Sequence, residues 1–74
     1  MINNNALIDG RLVDLLDIMD CRTTVTIYTD ETTQVFFGKV YEFLANKDLR
    51  RKYKNYEVAG LVLGLAHNIL IKEA

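Results

Sequence analysis

Val58-Ala59-Gly60-Leu61-Val62-Leu63-Gly64-Leu65-Ala66-His67-Asn68-Ile69-Leu70-Ile71 runs without a single charge. Two short apolar stretches flank a polar break at His67-Asn68, which reads as a hairpin turn between strands Glu57 to Leu65 and Ile69 to Glu73. A half-solvated strand alternates apolar and polar residues. This pair does not, so both of its faces ask for cover. One face can pack on the chain's own helices. The other is a candidate surface for a second copy or a partner.

Outward from that hairpin the patterns are more conventional. Leu12, Val13, Leu15, Leu16 and Met19 recur at helical spacing, predicting a helix from about Asp9 to Met19. Asp9 precedes the stripe and is placed to cap it, and Gly10 is the weak point of its first turn. Val25 and Ile27 alternate with Thr24, Thr26 and Tyr28, predicting a strand from Thr23 to Thr29. Asp30-Glu31-Thr32-Thr33 fits a hairpin loop, and Gln34 to Val40 returns as a second strand. Phe36 and Phe37 are neighbours on it and must point to opposite faces. Tyr41 to Ala45 reads as one turn of helix. The five-residue step from Leu44 to Leu49 breaks helical phase, so a joint is expected at Asn46-Lys47. Asp48 then opens a second short helix to about Lys54, with Leu49 and Tyr53 facing inward.

The order helix, strand, strand, helix, strand, strand defines an α+β fold: a small antiparallel sheet of about four strands with two or three short helices. Residues 1–74 form one domain on this reading. The pairing inside each hairpin follows from adjacency, but the way the two hairpins join does not. The expected core is Leu15, Leu16, Ile27, Phe37, Leu44, Leu49, Leu63 and Ile71.

The pattern resembles a group of small uncharacterised proteins of Firmicutes phages and prophages. The residues that carry the resemblance are Leu15-Leu16-Asp17-Ile18, Val25-Thr26-Ile27-Tyr28, Asp30-Glu31, Phe37-Gly38-Lys39-Val40, Leu49, Tyr53 and Tyr56-Glu57-Val58. It extends over about 60 residues from Leu12 onward. The closing hairpin departs from it, with Ala66-His67-Asn68 where the group has an acidic or glycine turn. The resemblance implies a mobile-element protein in the cytoplasm of a bacterial host cell. It brings no activity and no catalytic residue.

Seventy-four residues bury only a small core, and association with another chain is a common way to enlarge it. Half of the residues are hydrophobic and 26% are charged, so disorder is not expected. The lone Cys21 points to a reducing compartment and reads as a small apolar filler. Met1-Ile2-Asn3-Asn4-Asn5 lacks the basic start and apolar core of a signal peptide, and no apolar run is long enough to span a membrane. Residues 1–37 carry −4 and residues 38–74 carry +3. Such asymmetry suits two halves that attract each other, or a polar partner.

Two candidate sites emerge. The first is an oligomer or partner interface built from Val58, Leu61, Val62, Leu63, Leu65, Ile69 and Ile71, with Leu70 among them. The second is a polyanion contact at Lys47, Arg50, Arg51, Lys52 and Lys54, where Tyr53 and Tyr56 interleave and could stack on bases. The overall acidity of the chain argues for a merely solvated helix face there. Asp9, Asp14, Asp17 and Asp20 lie on the expected first helix without the caged oxygens that a hard cation needs. His67 is expected to be exposed and idle in its turn, and Tyr28 and Thr26 to share a strand face open to contact. No serine is present, which removes Ser-His-Asp catalysis. Gly60 and Gly64 form no phosphate loop and read as packing relief or bulges.

No catalytic residue, metal ligand or cofactor is assigned. The expectation is a non-enzymatic accessory protein of a phage or mobile element that acts by protein–protein interaction as a homo-oligomer or on a host protein, inhibition of a defence protein being one such role. The alternative is a nucleic-acid-binding accessory protein that uses the basic segment 47–54. No membrane partner is expected.

Overall fold

Alternation of Val25 and Ile27 with polar neighbours produces the strand on which the rest of the chain is assembled. The computed structural model describes residues 10–73. Its elements are α1 (Leu12–Ile18), β1 (Thr24–Asp30), β2 (Thr33–Lys39), α2 (Val40–Ala45), α3 (Lys47–Lys52), β3 (Tyr56–Val62) and β4 (His67–Glu73). The strands form a single sheet in the order β2-β1-β4-β3. Each hairpin pairs antiparallel, as adjacency requires. The two hairpins join through β1 and β4, which run parallel, with Val25 opposite His67 and Ile27 opposite Ile69. The α+β class and the element order hold. The sheet is mixed where a wholly antiparallel one was expected.

The parallel pair occupies the centre, and its inward residues show why. Val25, Ile27, Ile69 and Ile71 are all at most 1% exposed. Leu12 and Leu16 of α1, Val40 and Phe43 of α2, Tyr53 and Val58 complete the same core. Removal of this apolar surface from water is the main favourable term in folding. Phe36 adds an edge-to-face contact with Phe43 at 5.3 Å, and Tyr53 makes another with Tyr56 at 4.9 Å.

Short local devices fix the helix starts. Asn46 caps α3, its side-chain oxygen accepting the Leu49 N–H at 3.1 Å. The Glu42 carboxylate reaches back to accept the Lys39 N–H at 2.7 Å and closes the start of α2. Gly38 makes room for that carboxylate: a Cβ there would lie 2.8 Å from Glu42 Oε1 and 3.1 Å from the Phe36 ring. The backbone N–H groups of Val40 and Tyr41 donate to the carbonyls of Thr23 and Cys21, tying α2 to the approach of β1.

Several sequence expectations need correction. α1 begins at Leu12 with Arg11 in the N-cap position, and Arg11 makes no side-chain capping bond. The expected Asp9 cap lies outside the described residues. Val40 leaves the strand and opens α2, where its side chain is fully buried. Phe37 and Leu63 are not core residues: they are 62% and 67% exposed. Side-chain parity separates Phe36 from Phe37 but does not choose between them, and the Phe43 ring takes Phe36. Leu15, Leu44 and Leu49 pack at the margin of the core rather than in its centre. β3 ends at Val62 and β4 begins at His67, so Leu63 to Ala66 form the loop and the expected His67-Asn68 turn is instead the start of a strand. Gly64 lies within that loop. Ala59 is the extra residue of a bulge opposite β4, so the bulge lies beside Gly60.

Candidate interaction surfaces

Two surface features stand apart from the core. The first is the end of the β3–β4 hairpin. Val62 is 65% exposed, and Leu63 and Leu65 follow it into solvent, Leu65 completely. The loop has a defined closure, in which Gly64 N–H donates to Nδ1 of His67 at 3.2 Å. His67 is therefore half-buried and engaged, against its expected idle place in a turn. Beside this loop lies an open groove of about 280 Å³, lined by Tyr28, Glu31, Gly60, Leu61, Val62, Asn68 and Leu70.

The groove follows from strand register. Tyr28 pairs with Leu70, and Leu70 with Gly60, so these three residues cross the sheet in a row. Gly60 has no side chain to fill its position, and the Leu70 side chain comes closest to that gap, at 3.7 Å. Of the residues expected at an interface, Val62, Leu63 and Leu65 are exposed and Leu61 half-buried. Val58, Ile69 and Ile71 lie in the core and leave that set. Thr26, expected on an open face with Tyr28, is 5% exposed, whereas Tyr28 is partly open.

The second feature is a basic cleft of about 500 Å³ between α1 and α3. Lys47, Arg50, Arg51 and Lys54 line one side, and Arg11, Val13 and Asp14 the other. The four α3-side cations stand at i, i+3, i+4 and i+7, so one face of the helix and its following turn carries them all. The opposite face carries Leu49 and Tyr53 to the core. Arg11 joins the cleft because the Gly10 carbonyl accepts the Val58 N–H at 2.8 Å, pinning the approach to α1 along the edge of β3. Arg11 was missing from the sequence-based set, since nothing local links it to a segment 36 positions away. Lys52 does not belong to the lining: its ammonium lies 5.5 Å from the Tyr53 ring centre. The tyrosines are also elsewhere, Tyr53 buried and Tyr56 edge-on against it.

The remaining candidates are surface details. Cys21 is exposed and free, not a filler in the core. Asp14 and Asp17 are exposed on α1, and Asp20 lies beyond its end. The Arg22 backbone N–H, at 2.9 Å, and then its guanidinium hold the Asp20 carboxyl below its ordinary pKa. Asp30 is lowered likewise, first by the Thr32 backbone N–H and then by the Thr33 and Thr32 hydroxyls. Among the described residues no three His, Cys, Asp or Glu side chains converge as a metal site would require, and no helix is long and apolar enough to cross a membrane.

Comparison with family models, curated proteins and solved structures yields no match to this chain. A reading of function therefore rests on these two surfaces.

Proposed function

We propose that this chain is a non-enzymatic accessory protein that acts by protein–protein interaction, and that its β3–β4 loop and the adjacent groove form the contact surface of a homo-oligomer. The observation that carries the reading is the exposure of Val62, Leu63 and Leu65 beside a mainly apolar groove. Full burial of an aliphatic side chain stabilises by about 1.5–3 kcal/mol. Three such side chains supply several kcal/mol, enough to offset part of the cost of bringing two chains together. A groove that shares Val62 with an exposed apolar loop suits a reciprocal contact, in which each copy offers its leucines to the other. The phage or mobile-element setting comes from the sequence resemblance, and a host or defence protein is the other partner that this surface could take.

The test is the solution mass of the wild type and of a Leu63→Asp/Leu65→Asp variant, with circular dichroism to establish that both are folded. The proposal expects association in the wild type and a folded monomer in the variant. A wild type that stays monomeric into the high micromolar range would refute self-association.

A further inference from the structure

The basic cleft is not used by that contact, and it carries a chemistry of its own. Five cations, Arg11, Lys47, Arg50, Arg51 and Lys54, line it with one carboxylate, Asp14. Among the described residues the one ion pair is Arg22 with Asp20, neither of which lines this cleft, so no described carboxylate lies at ion-pair distance from the five. Like charges gathered around one space repel each other, and the repulsion is relieved when an anion enters. Asp48 lies in the first turn of α3, but it is not part of the lining.

We infer that this cleft binds a row of phosphate groups, and that the phosphodiester backbone of a nucleic acid is its ligand. The spacing of the cations favours a row over a single phosphate. From Lys47 to Arg51 the helical rise spans about 6 Å, Lys54 extends the row into the following turn, and Arg11 lines the other side of the cleft. Arginine forks suit phosphate oxygens, and two of the four residues on the α3 side are arginines. The lining also says what is not read. Tyr53 is in the core and Tyr56 packs on its ring, so neither is presented to the cleft as a stacking platform for bases. Contact is to the backbone, which positions a nucleic acid without reading its sequence. Lys52 stands apart from its neighbours, Arg11 joins the contact, and Asp14 opposes it, since its carboxylate repels an incoming phosphate.

Fluorescence anisotropy with a labelled DNA duplex and the matching labelled single strand, titrated with the full chain over a salt series, tests it. Affinity should fall linearly on a log–log plot against salt. Arg51→Gln/Lys54→Gln should weaken binding and lower the duplex slope by about two, one for each lost phosphate contact. Arg11→Gln should weaken binding although it lies outside the basic segment. Asp14→Asn should tighten it, and Lys52→Gln should leave it unchanged. Inorganic tripolyphosphate serves as a competitor. Binding of tripolyphosphate in preference to both DNA probes, with the same Arg11 and Arg51 dependence, would keep the phosphate site but overturn the nucleic acid as its source. No salt-sensitive binding of any of the three probes, or equal losses in Lys52→Gln and Arg51→Gln, would overturn the inference entirely. The Leu63→Asp/Leu65→Asp variant should bind as the wild type monomer does, which separates this outcome from the fate of the oligomer proposal.

Discussion

The two hairpins use strands of the same length, seven residues each, and close them in opposite ways. Glu31 and Thr32 close the first. Asp30 ties it down, accepting the Thr32 N–H and hydroxyl, both at 2.9 Å. Every side chain at that end is at home in water. Leu63-Gly64-Leu65-Ala66 closes the second, with a single bond from Gly64 to His67 and two leucines in solvent. Turn chemistry alone would favour polar residues at both ends. The contrast locates where the molecule departs from what folding by itself requires, and the proposed contact surface lies there.

The largest effects should separate the strand centres from the second loop. Ile27→Ala in the first hairpin and Ile69→Ala in the second remove fully buried side chains, and each should cost about 2–5 kcal/mol. Leu63→Ala and Leu65→Ala should cost less than about 0.5 kcal/mol in the monomer. Urea melts at low protein concentration read all four. Equal losses at Leu65 and Ile69 would mean that the loop belongs to the core.

Phe36 and Phe37 sharpen the contrast within one strand. Phe36→Ala loses the Phe43 contact and should cost about 2 kcal/mol or more. Phe37→Ala should cost less than about 1 kcal/mol, because its ring already faces solvent. The reverse order in chemical denaturation would place the opposite face of β2 against the helices.

The smallest effect belongs to the polar turn. The folded-state pKa of Asp30 lies below its ordinary value of 3.8, so its contribution is complete above that value and is lost as pH falls through the folded pKa. Asp30→Ala should therefore lower the melting temperature slightly at neutral pH, and the difference from wild type should shrink on strong acidification. A difference that grows with acid would contradict the role given to the carboxylate.

Local patterns made most of the elements legible. Val25 and Ile27 announced β1, and the phase break between Leu44 and Leu49 announced the joint that Asn46 caps. The α+β class followed. Parallel pairing of β1 with β4 was not legible, because strands far apart in the chain share no local signal of register. The second loop was misplaced for a related reason: an uninterrupted apolar run has no alternation to show where strand gives way to turn, and the polar pair His67-Asn68 drew the turn away from Gly64. Of the candidate sites, the four α3-side cations of the cleft and the exposed leucines were legible by residue type. Arg11 was not, because the Gly10–Val58 hydrogen bond that brings it to α3 is a tertiary contact.

The second hairpin's loop is the proposed contact surface between copies. Sedimentation equilibrium over a micromolar to millimolar series, on the wild type and on Leu63→Asp/Leu65→Asp, tests it most directly. The wild-type mass should rise with concentration from 8.5 kDa toward a multiple of it, and the folded variant should stay at the monomer mass throughout. A wild type fixed at the monomer mass, or a variant that associates as strongly as the wild type, would contradict it.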